Sequence, residues 1–144
     1  MEKPKKSDSK IKKSEETVKK SESDWKKILT PAQFHILREK GTEMPFSGKY
    51  NDHPQKGIYK CAACKNLLFS SDTKFSSHCG WPSFNSAIAQ NKVKLNEDIS
   101  HGMRRIEVVC TKCGGHLGHV FDDGPKPTGK RFCINSESLV FEEK

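Results

Sequence analysis

The sequence predicts a mainly β domain, built from antiparallel strands, with a short helical segment near its N-terminus. Two observations favour this fold class. A single segment carries the start and stop signals of a helix, and after Gly41 the chain breaks into short β-rich runs separated by turn residues. With 144 residues, the chain has room for one such domain and one hydrophobic core.

Residues 1–23 are predicted to form a disordered charged tail. They are mostly Lys, Glu and Ser, with Ile11 and Val18 as apolar exceptions. Such a segment cannot bury enough apolar surface to offset the entropy lost on ordering. A functional basic arm is the alternative, but acidic residues are interspersed among the lysines. The folded domain is therefore expected to span residues 24–144.

The one helix is predicted over residues 31–40. Thr30 suits the N-cap, Pro31 fits the first helical position, and Gln33 can close a capping box. Leu29 and Phe34 are placed to form a hydrophobic staple across that cap. Gly41 is a typical C-terminal stop signal.

Seven strands are predicted downstream of this helix. Each is a short run rich in β-branched, aromatic or other apolar residues, bounded by turn residues. The predicted strands cover residues 57–60, 67–69, 92–96, 104–109, 119–121, 130–136 and 139–142.

Charge and hydropathy restrict the classes of partner. The formal net charge of +8 raises nucleic acid or an acidic partner as a possibility. However, the lysines are scattered among glutamates, without a dense run of arginine and aromatic residues. No apolar stretch approaches the ~20 residues that cross a bilayer, and the N-terminus lacks an apolar signal region. A cytoplasmic location is therefore expected.

Six cysteines in a reducing compartment indicate metal ligands or redox residues rather than structural disulfides. Cys61 and Cys64 share a two-residue spacing with Cys110 and Cys113, and each pair follows a predicted strand. Two such turns can complete a tetrahedral site of four thiolates, which leaves no open position for substrate. We predict a structural zinc site, with iron left open as the alternative metal.

The same motifs allow two other interpretations. Cys110 and Cys113 could form a thioredoxin-type redox pair, but that motif opens a helix, whereas Gly114 and Gly115 favour a turn. Alternatively, His116 and His119 could be ligands, which would leave the first cysteine pair without partners.

The remaining cysteines, Cys133 and Cys79, are candidates for redox chemistry. On a strand over residues 130–136, Phe132 and Ile134 face the core, while Cys133 shares the other face with Arg131 and Asn135. A nearby cation lowers the pKa of a thiol, so this position suits a thiolate, although many unpaired cysteines are simply small buried residues. Cys79 lies in a segment broken by Gly and Pro that indicates a loop, and could resolve a sulfenic acid formed on Cys133.

Two histidines and a tryptophan complete the candidate site. His116 and His119 would face opposite sides of a regular strand, but a bulge at Gly118 could bring both to one side. Histidine suits proton transfer near neutral pH. Trp81 is either a core aromatic residue or an exposed apolar wall that could hold a methyl group.

Three motifs carry a family resemblance. HCGWPSF at 78–84, HLGHVFDDG at 116–124 and GKRFCINS at 129–136, framed by both CxxC pairs, closely resemble the type B methionine-R-sulfoxide reductases. The resemblance covers residues 25–142. It implies two antiparallel sheets and the reduction of methionine-R-sulfoxide, protein-bound or free, with thioredoxin as the reductant.

The resemblance also implies roles by position. Cys133 would be the nucleophile and Cys79 the resolving cysteine, while Trp81 and Arg131 would bind the substrate. His119 would be the acid that protonates the sulfoxide oxygen. The same carry-over places His116 and Asn135 around the sulfoxide oxygen and the catalytic sulfur, Asp123 as the residue that orients them, and zinc on Cys61, Cys64, Cys110 and Cys113.

A zinc-ribbon module that binds nucleic acid is the competing function, motivated by the paired CxxC motifs and the net charge. It predicts salt-dependent binding and leaves both histidines and the two remaining cysteines without a role. We favour the enzyme, acting as a monomer without a nucleic-acid or membrane partner.

Overall fold

Two antiparallel β-sheets form the framework of the protein, whose computed structural model describes residues 20–99 and 102–143. Within these residues two helices precede the strands: α1 spans Glu22–Ile28 and α2 spans Pro31–Glu39. Neither of the two is long and apolar enough to span a membrane. The strands are β1 (Gly57–Cys61), β2 (Leu67–Ser70), β3 (Lys74–Phe75), β4 (Ser83–Phe84), β5 (Val93–Asp98), β6 (Arg105–Cys110), β7 (His116–Phe121), β8 (Arg131–Ile134) and β9 (Leu139–Glu143).

The strands form a large and a small sheet. The large sheet has the order β3-β4-β8-β7-β6-β5, and the small sheet has the order β2-β1-β9. All the pairings described are antiparallel. The prediction of a mainly β fold with two antiparallel sheets is confirmed.

Aromatic side chains fill the space between the two sheets. Tyr59 and Phe69 of the small sheet and Phe84 of the large sheet are fully buried. Phe69 stacks on Phe84 with ring centroids 4.5 Å apart, and Tyr59 meets Phe84 edge-on at 5.2 Å. Trp25 of α1 and Leu37 of α2 join this core. Because side chains alternate along a strand, the opposite face of the large sheet carries polar groups.

Helix α2 confirms the predicted helix and its capping box. The Gln33 backbone N–H donates to Thr30 Oγ1 at 3.1 Å, and the Thr30 N–H donates to Gln33 Oε1 at 2.9 Å. The helix ends at Glu39, and Lys40 adopts a left-handed conformation as the C-cap.

Helix α1 was not predicted. It begins at Glu22 with Ser21 as its N-cap, inside the segment expected to be a tail. The rest of the predicted tail, residues 1–19, lies outside the described residues. A seven-residue helix has little stability of its own, and α1 is held by Trp25, which is 1% exposed in the core. That stabilisation comes from packing, which the local sequence does not reveal.

All seven predicted strands are present, with boundaries shifted by no more than three residues. The structure adds β3 and β4, which have two residues each and were not predicted. Two residues cannot show an alternating pattern, so only their pairing with neighbouring strands identifies them. Strand β4 matters for the site because Ser83 pairs directly with Cys133 of β8.

Candidate active site

The four cysteines of the CxxC motifs come together between the two sheets. Cys61 ends β1 and Cys110 ends β6, so each motif forms a turn directly after a strand, as predicted. All four sulfurs lie within 4.8 Å of one another. The closest pairs are Cys61 with Cys113 at 3.6 Å and Cys64 with Cys110 at 3.5 Å. Sulfurs bound to one tetrahedral zinc at about 2.3 Å would lie roughly 3.8 Å apart.

The two turns have the same backbone geometry. Lys65 N–H donates to the Cys61 carbonyl at 2.8 Å, and Gly114 N–H donates to the Cys110 carbonyl at the same distance. Both Lys65 and Gly114 have a positive φ, of 66° and 75°. Gly115 N–H also donates to Cys113 Sγ at 3.4 Å, a contact that stabilises a thiolate ligand. The donor set and its surroundings therefore fit a structural metal site.

Neither histidine joins this cluster. His116 Nδ1 lies 2.7 Å from Glu107 Oε2, and His119 Nε2 lies 2.8 Å from Asp98 Oδ2. Among the residues that the structure describes, the group of potential metal ligands consists of the four cysteines. The geometry thus favours the four-cysteine arrangement over the one that recruits histidines.

Cys79 and Cys133 lie side by side although 54 residues separate them, with their sulfurs 3.3 Å apart. The pairing of β4 with β8 brings the loop that precedes Ser83 alongside Cys133. Two residues of that loop, His78 and Gly80, have positive φ values of 62° and 99°. These turns direct Cys79 back toward β8. The structure thus brings together the two cysteines that lie outside the metal cluster, which their spacing in the sequence does not show.

The two thiols differ in acidity. Burial would raise the pKa of Cys79, but hydrogen bonds from Ser77 and Ser83 and from Cys133 outweigh it and lower the pKa to about 7. Burial raises the pKa of Cys133, and Cys79 raises it further, although Arg131 acts in the opposite direction. The expectation that Arg131 would make Cys133 the thiolate is therefore corrected, because burial exceeds the effect of the cation.

A cavity of about 290 Å³ opens above these sulfurs on the polar face of the large sheet. Arg131, Cys133 and Asn135 line it together, as their alternation on β8 predicts. Trp81 forms another part of the wall, and its indole N–H donates to the Glu43 carbonyl at 3.0 Å. The half-buried indole therefore presents an apolar surface to the cavity in a fixed orientation.

The predicted bulge brings both histidines to one side of β7. The register of β6 against β7 shifts between Val108 and Val109, so His116 and His119 share a face with ring centroids 5.4 Å apart. His119 lines the cavity, and His116 is buried beside it. Burial lowers the pKa of His116, although the Glu107 carboxylate acts to raise it.

The carboxylates that hold the histidines come from β5 and β6. Asp98 and Glu107 are 5% and 6% exposed, and neither was singled out by the sequence analysis. Arg105 lies 3.7 Å from Asp98, and Lys40 lies 3.6 Å from Glu107. The available signal for Glu107 was an acidic residue inside the otherwise apolar run IEVVC at 106–110.

Asn135 binds two backbone groups, and Asp123 binds the side chain of Arg131. Asn135 Oδ1 accepts from the Glu43 N–H at 3.0 Å, and its Nδ2 donates to the Leu117 carbonyl at 3.0 Å. The exposed Asp123 accepts from Arg131 Nε at 2.9 Å. Asn135 thus anchors the segment that holds Trp81, and Asp123 orients Arg131 rather than an imidazole.

Comparison with known protein families gives a match to the SelR domain over residues 29–143. The chain is 63% identical over 119 residues to "Peptide methionine sulfoxide reductase MsrB" of Methanosarcina barkeri, covering 83% of this chain and 84% of the relative. It is 59% identical over 121 residues to the protein of the same name from Leptospira interrogans, covering 84% and 92%. It is also 54% identical over 116 residues to "Methionine-R-sulfoxide reductase B3, mitochondrial" of mouse, covering 81% of this chain and 46% of the relative.

Proposed function

Because this chain belongs to the SelR-domain family of peptide methionine sulfoxide reductases, we propose that Cys133 and Cys79 are the residues with which it reduces methionine-R-sulfoxide. The enzyme is a peptide-methionine (R)-S-oxide reductase. One observation carries the proposal for its mechanism. The two thiols lie 3.3 Å apart at the base of a cavity that also contains an indole and an imidazole.

In the first step, Cys133 attacks the sulfoxide sulfur. The cysteine sulfur supplies two electrons and forms a transient bond to the substrate sulfur. When methionine leaves, this bond and the sulfur–oxygen bond of the substrate both break, and the oxygen passes to Cys133 with the proton that it received, as a sulfenic acid; the thiol proton of Cys133 returns to the acid. Sulfoxide oxygen is a poor leaving group until it is protonated, and His119 is the proposed acid because its imidazole lines the same cavity.

In the second step, Cys79 attacks the Cys133 sulfenic acid. A disulfide forms, the sulfur–oxygen bond breaks, and the oxygen leaves as water after taking up one proton. The 3.3 Å separation of the sulfurs supports this step, since little movement is needed to form the bond. An external dithiol, proposed to be thioredoxin, then restores both thiols by disulfide exchange.

Substrate recognition is proposed to depend on Trp81 and Arg131. An aromatic face suits the methyl group of methionine sulfoxide, and the indole is held in place by the Glu43 carbonyl. Arg131 lies on the same face as Cys133, with Asp123 orienting its guanidinium. Asn135 supports the Trp81 wall through the Glu43 backbone. His116 packs edge-on against His119 and is proposed to fix its orientation.

The metal is proposed to be zinc on Cys61, Cys64, Cys110 and Cys113. When bound there, zinc supplies a structural cross-link between the two sheets and takes no part in the reaction, because four protein ligands leave no position for substrate. A reducing, cytoplasmic compartment is proposed because four of the six cysteines are assigned as metal ligands and the other two as redox residues, not as structural disulfides. The biological role proposed is the repair of oxidised proteins by a monomeric enzyme.

The proposed function is tested with the separated epimers of methionine sulfoxide. The enzyme with a dithiol reductant should release methionine from the R epimer and leave the S epimer unchanged. The Cys133→Ser variant should release none while it retains its metal and its fold. The Cys79→Ser variant should release one methionine per chain and then stall with thioredoxin. Full thioredoxin-coupled turnover by Cys79→Ser would contradict the resolving role of Cys79.

A further inference from the structure

Two serine hydroxyls surround the sulfur of Cys79. Ser77 Oγ lies 2.9 Å from Cys79 Sγ, and Ser83 Oγ lies 3.4 Å from it. The two hydroxyl oxygens are 2.6 Å apart. Ser77 donates its one hydroxyl proton to the sulfur, so Ser83 is the donor in the 2.6 Å contact, which is shorter than its alternative contact to the Trp81 carbonyl at 3.2 Å. Successive hydrogen bonds polarise one another, so this chain is a stronger donor than one isolated hydroxyl.

The serine pair is held by the sheet. Ser83 is fully buried and lies directly opposite Cys133 in the β4–β8 pair, so its side chain is on the same face as Cys133. The Ile134 N–H of β8 also donates to the Pro82 carbonyl at 3.0 Å. Ser77 is positioned in turn by the Cys79 N–H, which donates to its Oγ at 3.4 Å. The hydroxyls are therefore in place before any substrate arrives.

We propose that Ser77 and Ser83 are positioning residues that hold Cys79 as a thiolate, so that the resolving cysteine is activated before the sulfenic acid forms. The inference rests on the proposed function, in which Cys79 attacks oxidised Cys133. The attack consumes the thiolate directly: its sulfur donates the electron pair of the new disulfide bond, and the departing oxygen takes up one proton to leave as water.

The acidity of the two thiols agrees with this assignment. Burial acts to raise the pKa of Cys79, but the hydrogen bonds of Ser77, Ser83 and the Trp81 backbone bring it to about 7. Burial raises the pKa of Cys133, so the thiol proton of the pair resides on Cys133. A resolving thiol with a pKa near ambient pH combines a substantial thiolate fraction with good nucleophilicity.

The first experiment measures the pH dependence of Cys79 alkylation by iodoacetamide. It uses the metal-loaded full chain with Cys133→Ser, so that Cys79 is the free thiol outside the metal site. The alkylation rate should rise through a midpoint near pH 7, since Ser77 and Ser83 are unchanged and the hydroxyl that replaces the Cys133 thiol can also donate to Cys79 Sγ. Adding Ser77→Ala or Ser83→Ala should move the midpoint up by about one pH unit. Ser77→Thr, which keeps a hydroxyl, should restore it.

Ser86→Ala is the matched control, because Ser86 is a half-buried serine of the same segment whose Oγ contacts Asn85 Oδ1 instead. It should leave the midpoint unchanged. An unchanged midpoint in both Ser77→Ala and Ser83→Ala would overturn the proposal, since a purely structural role for these serines does not alter thiol acidity.

The second experiment compares two rates in a single turnover with methionine-R-sulfoxide at pH 7. Ser77→Ala should lower the rate of disulfide formation relative to that of methionine release by about two- to fivefold, because the thiolate fraction of Cys79 at pH 7 falls about fivefold and the higher pKa makes the remaining thiolate somewhat more nucleophilic. Equal losses in both rates would indicate a general disturbance of the site and would also overturn the proposal. If the parent enzyme releases no methionine, the proposed function fails, whereas the alkylation midpoint still decides the role of the serines.

Discussion

Paired carboxylates and imidazoles are the main feature of the site at the scale of single residues. Asp98 with His119 and Glu107 with His116 form two short contacts, of 2.8 and 2.7 Å, on one face of the large sheet. A carboxylate bound to one ring nitrogen fixes the orientation and the tautomer of the imidazole. The proposed acid, His119, is thereby aimed into the cavity above Cys133.

A substitution at Asp98 tests this orientation. Asp98→Asn should lower the single-turnover rate of methionine release by about tenfold, because the imidazole loses its charged partner. The matched control is Glu97→Gln, one residue earlier in β5, whose carboxylate pairs with the exposed Arg104. The control should retain the parent rate, as surface ion pairs contribute little. Equal rates for both variants would exclude a role for Asp98 in catalysis.

At the scale of elements, the site depends on the close approach of β7 and β8. A Cβ added at Gly118 would overlap the Cys133 carbonyl oxygen and lie 2.9 Å from Ile134 Cα. Both neighbours are backbone atoms of β8, so no flexible side chain can move aside. Glycine at this position therefore allows β7 to place the histidines next to the strand that carries Cys133.

Gly118→Ala should therefore destabilise the protein by about 2 kcal/mol and lower its urea midpoint by about 1 M, because β8 must shift to relieve the overlap. Urea unfolding followed by circular dichroism measures this change. Gly129→Ala provides a comparison, since nothing lies within 4 Å of its added Cβ and only the positive φ of 72° opposes the substitution. An unchanged urea midpoint for Gly118→Ala would show that β7 and β8 can move apart without a loss of stability, and would contradict this prediction.

At the scale of the whole molecule, the four-cysteine site connects the two sheets. Cys61 belongs to the small sheet and Cys110 to the large one. A metal ion bound to both CxxC motifs closes the chain between Cys64 and Cys110 into a loop. This cross-link reduces the number of conformations that the unfolded chain can adopt. The proposed redox cysteines, Cys79 and Cys133, line a separate cavity, so the effect of the metal on activity is expected to act through folding.

Removal of the metal by a chelator should lower the thermal unfolding midpoint by about 10–15 °C, because a cross-link of this loop length contributes roughly 4 kcal/mol. Differential scanning calorimetry measures the change, and elemental analysis should find one zinc or iron ion per chain beforehand. Cys79→Ser and Cys133→Ser should bind the same amount of metal. A metal-free protein with an unchanged midpoint would contradict a structural role for the ion.

The sequence by itself determined the features that depend on neighbouring residues. The capping box at Thr30, seven strands, both CxxC turns and the face of β8 that carries Cys133 all arise from residue types a few positions apart. Only the tertiary structure decided which distant groups meet. Strand register places Cys79 against Cys133 and Asp98 against His119, and it pairs Asp123 with Arg131. Such contacts depend on how the strands pair and where the backbone shifts register, and neither is encoded in any single local segment.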